Sequence, residues 1–383
     1  MAHSISTLYT DKISEPYHLK ASGYASKRKL TKKTFKDTCF FPYRRVDHGT
    51  YSGGLLSKDL LYLDKKTQSN EINCPLPVDI MSAKETDPRE VVYLGCFLHH
   101  WGHFLIEGIS RAYFILNNPN ALYVYSTSDG KSFSGQFLEF FELLGLKKEN
   151  LIHISKPTLF KTIIVPDVCV EAGKFYTTEY LAMFDAIKAK IPPVYNDKIY
   201  FRYSDNGTCK KYYGLESIEA FFKINGYKFI RLERLSLMSQ ISIIKGCKNF
   251  ACINGTLMHN MLFADTNTAM IVINKTYLQN EYQPLIDSAR KLNITYIDSF
   301  LALLPTTVGY GPFCLYISDN LKRFAKNSNF KIPKDDFELD ILRYVFAWQT
   351  INSTRSVLDD ILLSKSMREL WEDYKIKTNT NRS

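Results

Sequence analysis

The chain has 383 residues, enough for two domains of ordinary size, and its 45% hydrophobic and 23% charged content reads as an ordered globular protein. A formal net charge of +10 favours anionic partners such as nucleotide phosphates, acidic glycans or lipid headgroups; no nucleic-acid partner is expected, because the basic residues form no stripe and no binding motif occurs. The 8 cysteines form no CxxC pair, Met1–Ser6 is not a hydrophobic leader, and no apolar run reaches membrane-spanning length, so the expected location is cytoplasmic with buried free thiols.

Residues 1–75, rich in Lys, Ser, Thr and Tyr, are expected to be irregular. Their densest basic cluster, Lys27, Arg28, Lys29, Lys32 and Lys33, reads either as a solvated segment or as peripheral contact with an anionic membrane on its inner face. A first unit, 76–192, alternates strand-like runs (91–96, 121–125, 151–154, 161–165) with helical patterns (99–117, 133–145, 177–190). Pro192 and Pro193 then mark a linker. A second unit, 196–330, repeats the alternation, with strands at 198–202, 226–230, 250–253 and 269–273 and helices at 215–224, 236–246 and 257–264. Short apolar strands separated by helices imply parallel Rossmann-like sheets, so the predicted class is α/β with two lobes facing a cleft. Helical patterns over 337–348 and 356–374 form a tail, 335–375, expected to pack across both lobes.

Two segments carry chemistry. In a helix over 99–117, His103, Glu107 and Arg111 fall at i, i+4 and i+8 on one face, with His99 a turn earlier and Leu105, Ile106, Ile109 and Tyr113 opposite. They follow a strand, and open α/β folds bind ligands at strand ends. A base, an acid and a cation there suit a catalytic site, or equally a buried brace between lobes. The second segment is Cys252–Phe263, a strand, a Gly255 turn and a helix start, whose exposed N–H groups suit a phosphate. Asn254, Thr256, His259 and Asn260 supply side-chain donors there, although a plain strand-to-helix corner has the same look. Arg202, Lys210 and Lys211 follow the first strand of this unit and could neutralise a diphosphate, or be ordinary surface charge. Glu233 could accept a ribose or sugar hydroxyl, or act as a helix N-terminal charge. There is no Asp-x-Asp, P-loop, GxGxxG or His-Glu-x-x-His, and no metal is expected at His99, His100, His103 and Glu107, whose spacing fits no common metalloenzyme motif.

In order along 90–275, five short motifs resemble glycosyltransferase family 61. His103-Phe104-Leu105-Ile106-Glu107-Gly108-Ile109-Ser110-Arg111 is similar to its H-W-l-l-E-x-l-P-R segment, and Lys198–Arg202 to its strand ending in Ser-Arg. Glu216 sits at its N-E helix start, and Glu233–Gln240 resembles E-x-l-s-f-x-e-Q. Asn254–Phe263 resembles H-G-A-g-L-t-N-l-l-F, with Asn254 in place of the family's His. The resemblance implies a GT-B fold and inverting transfer from a nucleotide sugar, with no cofactor and no obligate metal. It also implies an oligosaccharide, polysaccharide or glycolipid acceptor of the capsule or lipopolysaccharide type made by bacterial members. On this reading His103 or Glu107 is the base, and Arg111, Arg202, Lys210, Lys211, Glu233, Asn254, Gly255, Thr256, His259 and Asn260 bind substrate. The alternative is a non-catalytic glycan- or nucleotide-binding relative.

Overall fold

The computed structural model describes residues 6–10, 23–47, 50–57, 85–203, 212–277, 282–301, 304, 306, 311–334 and 341–352. Its strands are β1 (Ser6–Tyr9), β2 (Lys32–Asp47), β3 (Thr50–Leu56), β4 (Glu85–Phe97), β5 (Tyr123–Thr127), β6 (Leu151–His153), β7 (Thr158–Pro166), β8 (Val170–Glu171) and β9 (Phe175–Tyr176). Then come β10 (Ile199–Phe201), β11 (Tyr212–Tyr213), β12 (Lys228–Ile230), β13 (Asn249–Ile253), β14 (Ala269–Asn274), β15 (Asn293–Asp298) and β16 (Phe313–Cys314). The α-helices are α1 (Trp101–Ile106), α2 (Gln136–Leu144), α3 (Thr178–Ala189), α4 (Leu215–Ile224), α5 (Leu237–Lys245), α6 (Gln283–Arg290), α7 (Asp319–Asn327) and α8 (Ile341–Asn352), with longer 3₁₀ segments at Gly108–Asn117 and Thr256–Phe263.

Most strands fall into two six-stranded sheets, ordered β3-β2-β7-β4-β5-β6 and β1-β15-β14-β13-β10-β12. The first is mixed: β4 pairs in parallel with β5 and β7, while β2 runs antiparallel to β3 and β7. The second is parallel throughout. Residues Val91–Phe97 of β4 are all buried, the near-continuous apolar run of a strand covered on both faces. Each sheet reverses its strand order once, beside β4 in the first and beside β10 in the second, and these are the crevices where open α/β sheets hold ligands.

Helices from both units fill the space between the sheets as one core. Phe104 and Leu105 of α1, Phe140 and Phe141 of α2, Phe184 of α3, Ile241 of α5, Met261 and Leu262 of the second 3₁₀ segment, and Leu285 of α6 belong to a single apolar cluster. A separate cluster under α4 and α7 covers the outer face of the second sheet, and another lies on the far face of the first.

Two expectations need correction. The segment expected to be irregular contains β1, β2 and β3. In β2 only Thr38, Cys39, Phe40 and Tyr43 among the described side chains are buried, and its lysines mask the strand pattern. Ser6–Tyr9 crosses to the edge of the second sheet beside β15. The helix expected over 99–117 breaks at Glu107 into α1 and a 3₁₀ segment. A Cβ on Gly108 would lie 2.6 Å from the Phe97 ring, so this residue is glycine because the chain passes directly over Phe97 there. In the tail, α8 sets Tyr344 against Tyr213, while residues 337–340 and 356–374 lie outside the described residues. Cys39, Cys96, Cys169, Cys247, Cys252 and Cys314 are buried free thiols, and Cys74 and Cys209 lie outside the described residues. No helix among the described residues is long and apolar enough to cross a membrane.

Candidate active site

The first unit meets the second where α1 rests on the 3₁₀ segment Thr256–Phe263. A Cβ on Gly102 would overlap the Thr256 methyl and come within 2.8 Å of His259 Nδ1, so only glycine permits this approach. Trp101 Nε1 donates to Asn260 Oδ1 at 2.8 Å, tying the two elements together. His259 and Asn260 are buried at this contact, and Asn260 also donates to the Leu257 carbonyl. Tyr282 stands beside both His103 and His259, its ring centre 5.8 Å and 6.4 Å away.

His103 and Glu107 meet as their spacing predicts, with Nδ1 and Oε2 2.6 Å apart. The carboxylate is buried, whereas the His103 side chain is 27% exposed. An ionised Glu107 accepts from Nδ1–H, which leaves Nε2 with its lone pair, the tautomer a general base requires. Arg111 is buried; its Nε donates to the Pro166 carbonyl at the end of β7, and its guanidinium lies 5.3 Å from the Tyr93 ring centre. The expected stripe therefore divides. His99 leaves it altogether, pairing with Asp129 at 2.7 Å.

At the second sheet's reversal point, β10 ends next to Arg202 and Tyr203, and β13 ends next to Asn254. Asn254 Nδ2 donates to Asn274 Oδ1 at 2.9 Å, and Asn274 Nδ2 donates to Asp298 Oδ1 at 2.8 Å. This ladder across the ends of β13, β14 and β15 fixes the turn, so Asn254 serves as a brace. Gly255 faces the Tyr203 hydroxyl so closely that a Cβ would collide with it. At the helix start that follows, the Tyr203 hydroxyl accepts from Leu257 N at 3.5 Å. Lys275, just past β14, is buried beneath the turn; its ammonium is 4.3 Å from the Phe313 ring centre and donates to Tyr212 Oη at 3.3 Å. Arg202 Nε is 2.7 Å from Glu219 Oε1 of α4. Burial raises the pKa of Glu219, and Arg202 opposes that rise. Lys210 and Lys211 lie outside the described residues.

A pocket of about 680 Å³ opens next to the residue that precedes α1, lined by His99, Asp129, Lys131, Phe137 and Glu139 from the first unit and by Glu233 from the second. Burial works to raise the Asp129 pKa, but hydrogen bonds from the Lys131 N–H and the His99 ring outweigh it, so the carboxyl is held below its ordinary range. Glu139 spans the start of α5, accepting from Leu237 N at 2.8 Å and Met238 N at 2.9 Å.

The structure thus brings α1, which carries His103, against Thr256, His259 and Asn260, pairs His103 with Glu107, and places Glu233 at the pocket. Lys275, Asp129 and Tyr282 escaped the sequence reading. For Lys275 the available signal was its position at the carboxyl end of a parallel strand. For Asp129 it was a carboxylate just past β5, beside the strand that leads to His99.

Residues 101–271 match the family model described as Glycosyltransferase 61. The match begins at Trp101 and ends within β14, so it spans α1, the Gly255 turn and the contact between them. No curated protein matches the chain.

Proposed function

We propose, from the premise that residues 101–271 belong to glycosyltransferase family 61, whose activity is the transfer of a sugar from a donor to a glycan acceptor, that this chain is an inverting, metal-independent transferase of the GT-B type. The observation that carries the reading is the contact of α1, the helix that bears His103 of the His103–Glu107 pair, with Thr256 and His259 just past the Gly255 turn. The nucleotide diphosphate of the donor occupies the turn at Asn254–Thr256. Backbone N–H groups of the turn bind it, with Leu257 N–H shared with the Tyr203 hydroxyl, and the buried Lys275 ammonium and the nearby Arg202 offset its charge. His103 Nε2 takes the proton from the acceptor hydroxyl as that oxygen attacks the anomeric carbon and the diphosphate departs. Glu107 holds the ring and stabilises the imidazolium that forms.

The acceptor is an oligosaccharide, polysaccharide or glycolipid of the capsule or lipopolysaccharide type, met at the cytoplasmic face of the membrane. The exposed cluster Lys27, Arg28, Lys29, Lys32 and Lys33 supports that peripheral placement.

Turnover against a panel of nucleotide sugars, with and without acceptor glycans, tests the reading. Nucleotide release that requires an acceptor and survives EDTA is expected; release without an acceptor indicates a hydrolase, and rescue of an EDTA-inactivated enzyme by manganese or magnesium overturns metal independence. In His103→Gln, turnover falls about 10²–10⁴-fold with nucleotide affinity little changed. A His103→Gln protein that melts earlier yet turns over at the native rate reduces the His103–Glu107 pair to a structural brace.

A further inference from the structure

The pocket beside α1 is built differently from the turn. Its wall carries three carboxylates, Asp129, Glu139 and Glu233, against one lysine, Lys131, and the His99 ring. One helix, α5, begins at this wall, and helix starts attract anions. That start is already filled: Glu139 accepts from two of its N–H groups, and Ser236 Oγ accepts from Ser239 N at 3.2 Å. A phosphate would therefore meet repulsion and no unused helix start. A neutral, hydroxyl-rich ligand meets the opposite situation. Hydroxyl groups donate to carboxylates, the lysine and histidine can donate to ring and hydroxyl oxygens, and Phe137 offers an aromatic wall for a sugar's C–H face. The Asp129 side chain is 39% exposed while one of its oxygens is held by His99, so it is positioned yet reachable.

We propose that this pocket is a saccharide subsite for the uncharged acceptor glycan, read jointly by Asp129 of the first unit and Glu233 of the second. The inference rests on the transferase reading for the word acceptor; sugar binding itself stands on the pocket alone. Because Glu233 comes from the opposite unit, the subsite is complete only when the two units are together. Trp101, which binds Asn260 on one side and packs its ring against Phe137 on the other, links the pocket to the donor turn through α1.

Saturation-transfer NMR and calorimetry with the methyl pyranosides of glucose, galactose, rhamnose, N-acetylglucosamine and N-acetylgalactosamine test this on the full chain, with inorganic pyrophosphate as the probe of the turn. At least one glycoside is expected to bind, and Asp129→Asn and Glu233→Gln should each weaken it about tenfold, the loss of one hydrogen bond to a charged group, with pyrophosphate affinity kept within about twofold. The proposal falls if no glycoside binds the native chain, or if a bound one is indifferent to both substitutions. It also falls if either substitution weakens pyrophosphate as much as sugar. The transferase reading fails separately, when the native chain binds no pyrophosphate and turns over no nucleotide sugar, and the glycoside data still decide the pocket in that case.

Discussion

The Gly255 turn and the His99–Glu233 pocket both lie at carboxyl ends of parallel strands, yet they are wired with opposite charge. At the turn, a lysine is buried beneath the backbone, the nearby arginine is held by Glu219, and the helix start meets a neutral hydroxyl, that of Tyr203, and no carboxylate. At the pocket, the helix start is closed by Glu139 and Ser236, and the carboxylates outnumber the lysine. Position in an α/β fold marks both as binding places. The sign of the local charge, and whether a carboxylate of the protein already occupies the helix start, then separates a place for phosphate from a place for hydroxyl groups.

The largest expected effect breaks this contrast at its cationic side. Lys275→Met keeps the side chain's length and removes its charge, and should cost about 1.5–3 kcal/mol of pyrophosphate affinity while leaving glycoside binding alone. Calorimetry with both probes reads this directly. Equal losses for the two ligands would mean that Lys275 supports the fold and does not define the turn.

The second effect tests the link between the two regions. Gly102→Ala drives a methyl into Thr256 and His259 and should cost about 1–3 kcal/mol of stability, read as a lower melting temperature. Because α1 follows His99 and carries His103, pyrophosphate and glycoside affinities should fall together in this variant. A loss confined to one ligand would show that the regions act independently of α1.

Much of the turn was legible because its signals are local. The i, i+4 spacing of His103 and Glu107 survives as a hydrogen bond, and Gly255 between a strand and a helix start is a pattern of adjacent residues. The pocket was not legible in the same way. His99 finds Asp129 thirty residues on, and Glu233 joins them from another sheet, so no window of sequence contains the site. The helix break after Glu107 was hidden for a related reason. The chain there passes over the Phe97 ring, which lies on the preceding strand and meets Gly108 only in the folded chain. The lysine-rich β2 defeated hydropathy because its exposed residues outnumber its buried ones.

The smallest effect separates the regions by pH. Asp287 of α6 is fully buried, and burial raises its pKa to about 7 even though Tyr296 and Gln283 donate to it. A carboxyl raised in the folded state contributes stability that is fully present below its unfolded value of 3.8 and is lost as pH rises through about 7. The native chain should therefore lose about 1 kcal/mol between about pH 6 and pH 8, and Asp287→Asn should flatten that slope. Because α6 follows directly on Tyr282, which touches His103 and His259, the loosening should reach the turn first. Asp129 has the opposite sign: its pKa is lowered, so its contribution is present above the ordinary carboxylate range and disappears only as pH falls through the depressed value. Across neutral pH, then, glycoside affinity should stay level while melting temperature declines. Glycoside affinity that tracks the melting temperature, or a decline unchanged in Asp287→Asn, would show that Asp287 does not set the pH response.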